Sequence, residues 1–385
     1  MNRYTFARHL VALITVGLVV AACQPASTPS ASGSPGQIGG TVSVLATWGG
    51  SEQDSFLAMV KPFEDQTGVK VQYEGTRDNA VLTTRIQGGN PPDLAGLPGP
   101  GLMAQLAKAG KLIDLGNVLD MNAMKSQYSD SFIKLAQVDG KQVGIFIKAA
   151  LKGPIWYNPK AFSAKGYTVP KTWDDLTSLS KKIADSGTTP WCIGLESGAA
   201  SGWPGTDWLE DIVIRQSGPD VYDSWWQGKT KWSSPEIKKA FQTWGTIVAD
   251  PKMVLGGKSA MVATAFGDSG NPMTGAGDLF GMFKDTPQAR ALIKYLTTPQ
   301  AQAIWVKRGG ALSANKQVTD YPDKISADSA KALTSAGVFR FDASDLMPEA
   351  MNQAFWKAVL DYVNDPSKLD SILTSLDKVQ ADSYK

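Results

Sequence analysis

The sequence predicts an α/β protein of two domains, and three observations carry that reading. Strand-like runs alternate with helical ones through the first hundred residues of the folded part, which argues for βαβ units and a mainly parallel sheet. The chain has 385 residues, more than the roughly 250–300 that one core organises. Its first 40 residues read as a leader and a spacer, so the fold begins at Thr41.

Arg3 and Arg8 form a positive head, and Leu10 to Val20 an apolar run shorter than the roughly 20 residues that span a bilayer. Val20-Ala21-Ala22-Cys23 places small residues before a cysteine. This order reads as a secretory signal over residues 1–22, and its ending resembles a bacterial lipobox. On that resemblance Cys23 is the lipid anchor, and the protein is extracytoplasmic and membrane-tethered on the periplasmic or cell-surface side. The bland alternative is a plain secretory signal with an incidental Cys. Residues 24–40 are almost entirely Pro, Ser, Gly, Ala and Thr, a composition that cannot bury a core and behaves as a flexible spacer.

Thr41–Thr47 reads as a strand ending in Trp48-Gly49-Gly50. A helix with Phe56, Val60 and Phe63 on one face follows and stops at Gly68. Val69–Tyr73 alternates as a second strand, Ala80–Gln87 is helical, Pro91–Leu94 opens a short extended segment, and Leu102–Ala109 is helical up to Gly110. Val138–Lys141 has the chemistry of a hairpin turn and feeds a strand over Gln142–Lys148. Ile155-Trp156-Tyr157 is extended up to Asn158-Pro159. Thr172 and Asp175 make a capping box for a helix to Ala184, with Trp173, Leu176, Leu179 and Ile183 inward. Pro190–Gly194 reads as a strand and Pro204–Gln216 as a helix. Ser234-Pro235 opens a helix to about Val248. Pro287–Leu296, Pro299–Lys307 and Met347–Val363 are helical.

Composition excludes several functions. The chain has 38 Lys plus Arg and 36 Asp plus Glu; the leader holds Arg3 and Arg8 and no acid, so 36 of each remain and the formal charge is zero. That balance argues against nucleic acid, which calls for a basic face. The only histidine is His9, in the leader, so histidine triads, histidine acid–base work and histidine-ligated zinc are excluded from the mature protein. Cys192 is the only cysteine besides Cys23, so a cysteine zinc cluster and an internal disulfide are excluded too. No metal and no cofactor is expected.

Twelve tryptophans are present, and any one of them can be core packing. Trp173 and Trp244 lie on inward helical stripes. Trp48 and Trp203 stand in Gly- and Pro-rich turns at element ends, where binding groups are displayed. Glu52 near Trp48, Glu196 before Trp203 and Arg308 after Trp305 add hydrogen-bonding groups beside aromatic faces, a combination suited to sugar rings.

From Thr41 to about Lys316 the chain resembles the family 1 extracellular solute-binding proteins of bacterial ABC importers, most of all the α-glucoside and other sugar-binding members. The segments that carry the resemblance include VSVLATWGGSEQDSFLAMVKPFEDQTGVKVQYEGTRD, GNPPDLAGLPGPG, IWYNPKAF, PKTWDDL, PWCIGLESGAASGWPGTDWLEDI and GAGDLFGMFKDTPQARALIKYLTTPQAQAIWVKRGGALSANK. It implies a two-lobe periplasmic-binding-protein-like fold, each lobe a mainly parallel sheet flanked by helices, with the ligand cleft at the hinge. Residues 41–149 plus 275–316 would form the N-terminal lobe, and 150–274 plus 317–385 the C-terminal lobe. Carried over by position, the ligand-binding candidates are Trp48, Glu52, Arg77, Trp156, Glu196, Trp203, Asp268, Asp278 and Arg308. Asp268 and Asp278 could instead cap turns, and Arg77 could pair on the surface. In the resembled family a stretch of at least two strands separates the parts like AFGDSGNPM and GAGDLF; here Met273 runs straight into Thr274-Gly275, which implies a shortened C-terminal lobe.

Three functions compete. The first is a tethered carbohydrate-binding protein, monomeric, that delivers its ligand to transmembrane permease subunits and performs no chemistry itself. The second is a secreted glycoside hydrolase, for which Glu196 with Asp207 or Glu210 is the carboxylate pair to test against the roughly 5–5.5 Å or 6.5–9.5 Å separation that such enzymes need. The third is a non-transport sugar sensor or adhesin. The ordered motifs favour the first.

Overall fold

The computed structural model describes residues 37–263, 275–335 and 339–385. Cys23, Asp268 and the Met273–Thr274 junction lie outside the described residues. In chain order the elements are β1 (Thr41–Ala46), α1 (Gly50–Thr67), β2 (Lys70–Gly75), α2 (Asn79–Gln87), β3 (Leu94–Leu97), α3 (Pro100–Lys108), α4 (Met121–Gln127) and α5 (Asp130–Leu135). The chain continues with β4 (Gln137–Val138), β5 (Lys141–Gln142), β6 (Ile145–Leu151), α6 (Pro159–Ala164), α7 (Trp173–Asp185), α8 (Trp203–Trp226), α9 (Pro235–Val248) and α10 (Gly257–Ala263). After the break come β7 (Gly275–Met282), α11 (Pro287–Leu296), α12 (Pro299–Arg308), α13 (Lys324–Ser335), α14 (Ala343–Leu346), α15 (Glu349–Asn364) and α16 (Leu369–Ser383).

Local chemistry sets most boundaries. Gly68 ends α1 in the left-handed conformation, its N–H bonded to the Glu64 carbonyl. Asp78, Thr172, Ser234, Thr286 and Thr298 cap α2, α7, α9, α11 and α12 through their side-chain oxygens. Asp139 and Gly140, both at positive φ, turn the β4–β5 hairpin. α8 runs past Gln216, where the sequence reading ended it, because Gly218 at φ 84° kinks the chain into a second helical stretch that begins at Pro219.

Five strands form one sheet in the order β2-β1-β3-β7-β6. β1 is parallel to β2 and β3, whereas β7 is antiparallel to β3 and β6. The sheet is therefore mixed, not mainly parallel: β6 runs out toward the second lobe, and β7, coming back from it, must lie antiparallel beside it. No second sheet of comparable size is present among the described residues. Ile155–Tyr157 joins no ladder, and the run from Pro190 contributes one bridge, Trp191 to Val254. The second lobe is built of helices in the part described.

Two hydrophobic cores confirm the bilobal division. One surrounds the sheet and α1, with Phe56, Phe280, Leu292 and Trp305 at its heart; the other gathers α8, α9, α15 and α16 around Trp225, Trp232, Trp244 and Phe355. Leu333, Phe339 and Phe341 pack on the first core, although a division at Lys316 assigns them to the second lobe. The last crossing lies at Phe341–Ala343, since Ala343 is the first residue after it in the second core. The chain thus passes between lobes after Leu151, at Gly275 and at Phe341, and these crossings touch: Leu151 faces Gly275 in the β6–β7 ladder, and Gly275 bridges Phe341. That bundle is the hinge.

Candidate functional site

β1, β2 and β3 point their C-terminal ends toward the second lobe, and loops at such ends commonly form binding crevices. β1 delivers Trp48, followed by Glu52 in the first turn of α1. β2 ends at Gly75, where a Cβ would lie 2.3 Å from the Trp48 carbonyl, so only glycine lets β2 close against that turn. The Tyr73 hydroxyl donates to the same carbonyl at 2.7 Å. Arg77 follows.

Lys148 anchors this group. It stands on β6 directly opposite Asp278 of β7, so the register itself brings the charges together. Its ammonium donates to Glu52 at 2.5 Å and lies 3.3 Å from Asp278. It also sits 4.9 Å from the Trp305 ring and 5.6 Å from the Trp48 ring. Burial pulls its pKa down, but Asp278 and Glu52 outweigh burial and hold it above the ordinary lysine value. Arg77 reaches Glu52 at 3.6 Å and donates to the Ser197 hydroxyl at 2.7 Å. Ser197 belongs to the second lobe, so this contact spans the cleft.

A second lysine sits four residues on, which on an extended chain is the same face. Lys152 is 8% exposed and donates to both Asp207 oxygens at 2.8 and 2.9 Å and to Asp342 at 2.9 Å. Asp207 comes from α8 and Asp342 from the last hinge crossing, so one ammonium ties together two crossings and the second lobe. The Trp203 ring lies 4.8 Å from it. Gly202, at φ +108° with its Cβ position 2.2 Å from the Trp356 carbonyl, packs the start of α8 so tightly that no side chain fits there. Burial opposes the charge on Asp342, yet Lys152 and hydrogen bonds from Glu210, Lys152 and Ser344 hold its carboxyl below the usual range. Burial, and then Asp342, push Glu210 well above its usual value.

Of the residues expected from sequence, Glu52, Arg77 and Asp278 converge on Lys148, and Trp203 stands beside Lys152. The others differ. Trp48 is 2% exposed, packed on Phe56, Phe280 and Trp305 at 5.4, 5.7 and 4.7 Å; its Gly-rich turn suggests display, but the ring is the floor beneath Lys148. Glu196 accepts the Gly198 N–H at 2.6 Å and shapes the turn that presents Ser197. Arg308 turns aside to the Ser55 hydroxyl at 3.1 Å. Trp156, 42% exposed, lines a different cavity of about 1140 Å³ within the second lobe. The α7 stripe of Trp173, Leu176, Leu179 and Ile183 faces that cavity rather than a sealed core. All its walls come from residues 153–243, so a ligand there touches one lobe and cannot favour closure of two. Lys148, Lys152, Ser197 and Asp342 escaped the sequence reading. The signal was two lysines four apart in the otherwise apolar run IFIKAALK.

Residues 49–303 match the family described as bacterial extracellular solute-binding protein. The chain is 36% identical over 371 residues to the osmoprotective compounds-binding protein GgtB of Synechocystis sp., covering 84% of this chain and 88% of that one. It is 32% identical over 390 residues to the alpha-glucosides-binding periplasmic protein AglE of Rhizobium meliloti, covering 86% and 85%. Among solved structures it is similar in fold to a chitin oligosaccharide binding protein, with TM-score 0.75, 19% identity and 89% and 98% of the two chains covered. Maltose-bound MalE3 of T. maritima gives TM-score 0.70 at 17% identity, covering 89% and 99%.

Proposed function

Since the chain belongs to the bacterial extracellular solute-binding protein family, whose members bind rather than transform their ligands, we propose that it captures a carbohydrate of the α-glucoside or small-oligosaccharide class between its lobes. It then delivers that sugar to the permease subunits of an ABC importer. The family places the protein outside the cytoplasm; the lipid anchor at Cys23 and the monomeric state are part of this proposal. The alpha-glucosides named for the Rhizobium relative support the sugar class.

One observation carries the placement of the ligand at the lobe junction: Arg77 bonds Glu52 of its own lobe and Ser197 of the other. A sugar inserted there, with hydroxyls that both donate and accept, can engage Glu52, Lys148 and Asp278 from one side and Ser197 and Trp203 from the other. Binding then favours the closed form by the contacts it makes only when both lobes are in place. The hydrolase alternative is not favoured, because Asp207 and Glu210 are sealed against Lys152 and the Ala343 and Ser344 backbone. A thermal-shift screen against maltose, trehalose, sucrose, raffinose and chitobiose tests the proposal, since a ligand that binds only the folded form raises Tm by mass action. At least one α-glucoside should raise it in a saturable way; a flat response across the panel would remove the reading.

A further inference from the structure

The cavity inside the second lobe has no part in sugar capture, and its walls carry an unmet demand of their own. α7 and α8 each turn a stripe toward it, with Trp173, Leu176 and Ile183 on the first and Trp208, Asp211 and Arg215 on the second. Trp191 ties the two helices together. Its indole N–H donates to the Ser180 hydroxyl of α7 at 3.0 Å, and its ring meets Trp208 of α8 edge-on at 5.5 Å. Ile155, Trp156, Tyr157 and Val169, large apolar side chains left exposed, gather at the same cavity. A protein surface rarely leaves such a group together without a use for it.

The polar side chains of these helices are already engaged: Arg215 pairs with Asp211 at 2.7 Å, and Gln216 donates to Thr243 at 2.9 Å. The unmatched groups belong to the main chain. Trp191 donates its N–H to Met253 and accepts from Leu255, and Leu195 donates to Met261, so one edge of this extended run is taken. Strand alternation turns the N–H and C=O groups of Cys192 and Gly194 the other way, and both residues border the cavity. Those groups have no hydrogen-bond partner among the described residues, and neither do the main-chain groups of Ile155, Trp156 and Tyr157 on another wall. An open edge of this kind is a template for a further strand, and two strands alone are marginal without one.

We propose that this cavity is an acceptor groove for an extended peptide, which adds as a strand along Cys192–Gly194 and sets alternate apolar side chains among Trp156, Trp173 and Trp208. A sugar or a lipid chain would leave the main-chain groups unpaired, whereas a peptide brings donors and acceptors at the spacing of the strand itself. The groove lies within one lobe, so its occupancy is independent of the cleft and of the carbohydrate reading above.

Cys192 reports directly on the groove, because it is exposed there and is the only cysteine left in the full chain carrying Cys23→Ser. The probe is a blocked peptide of about six alternating valine and threonine residues, the length of an ordinary strand. At about ten times its Kd it should slow alkylation of Cys192 by iodoacetamide about ten-fold, since only the free fraction reacts. The same peptide N-methylated at every amide keeps its side chains and loses its donors, and should bind at least about ten-fold more weakly. Tyr157→Ala, which trims an exposed wall, should weaken the parent peptide at least about three-fold while Tm holds. Equal binding of the two peptides would mean apolar adsorption without strand pairing and would overturn the proposal. So would the absence of protection by the parent peptide up to about 1 mM, or sedimentation as a dimer that shields Cys192 whether or not peptide is present.

Discussion

Arg77 donates a 2.7 Å hydrogen bond to the hydroxyl of Ser197, 120 residues away and in the opposite lobe. The contact ties the two lobes directly, so the cleft has a weak internal latch. Arg77 is about half exposed and its partner Glu52 is 3.6 Å away, so the ion pair itself is worth little; the hydrogen bond contributes about 0.5–1.5 kcal/mol. Ser197→Ala should therefore widen the ligand-free protein in small-angle scattering and weaken sugar binding by about two- to ten-fold. An unchanged scattering profile and unchanged affinity would show that the latch carries no weight.

Lys152 is the harder contact to remove. Lys152→Met leaves Asp207 and Asp342, 5% and 2% exposed in their side chains, facing each other with no cation. Removing one partner of a buried pair costs about 3–5 kcal/mol. Urea unfolding should register that loss, and Asp207→Asn in the same background should recover part of it. A Lys152→Met protein as stable as the parent would mean that water reaches the hinge cluster.

The difference between these two clusters explains what sequence could and could not reveal. Strand–helix alternation, the caps at Thr172 and Ser234, and the two-lobe plan follow from local periodicity and from resemblance, and the structure has them. Glu52, Arg77 and Asp278 were within reach through the resemblance, which carried them over by position; Glu52 and Arg77 follow strand-like segments, whereas Asp278 stands inside β7. Lys148 and Lys152 were not: their role depends on register across β6 and β7 and on a segment 190 residues away at Asp342, neither of which short-range spacing encodes. Trp48 misled for the same reason. A Gly-rich turn signals display only when nothing covers it, and Trp305 of α12, distant in sequence, packs edge-on against the Trp48 ring.

Glu210 predicts the pH profile of stability. It is fully buried, and burial with Asp342 raises its pKa well above the model-peptide value, about 4.3. The folded form therefore holds this proton more tightly than the unfolded form. Its contribution is complete below the unfolded pKa and is lost as pH rises through the folded one. Asp342, whose pKa is lowered, acts oppositely and loses its contribution as pH falls below about 3.9. The mature chain has no histidine to add a slope near neutrality. Tm should thus decline as pH rises above about 4.3, the unfolded value, and Glu210→Gln should flatten that decline. A profile that rises with pH over this range would contradict the assignment.

The proposed lipid anchor at Cys23 predicts a clean separation of location from folding. Cys23 is followed by a spacer of small and polar residues that ends at Gly40, and the first sheet strand starts at Thr41. Cys23→Ser should move the protein from the membrane fraction to the soluble one without changing its Tm or its sugar affinity. Persistence of Cys23→Ser in washed membranes would rule out lipid attachment at this residue.

Trp203 and Trp48 offer the sharpest contrast between site and scaffold, because each lies near a lysine and only one is open. Trp203 begins α8, is half-buried, and stands over Lys152 at 4.8 Å; Trp48 is buried beneath Lys148 within an aromatic cluster. If the sugar stacks on Trp203, Trp203→Ala should weaken binding by about 1–3 kcal/mol, the scale of lost aromatic burial, with little change in the Tm of the ligand-free protein. Trp48→Ala should instead cost about 3–5 kcal/mol of stability through the cavity it opens. The fraction that still folds should keep most of its affinity, since the Trp48 ring lies below the charged groups rather than among them. Both quantities are measurable on each variant by denaturant unfolding and titration calorimetry. The assignment stands only if the losses fall on opposite axes: affinity without stability at Trp203, stability without affinity at Trp48. The reverse pattern would move the sugar off α8 and onto the β1–α1 turn.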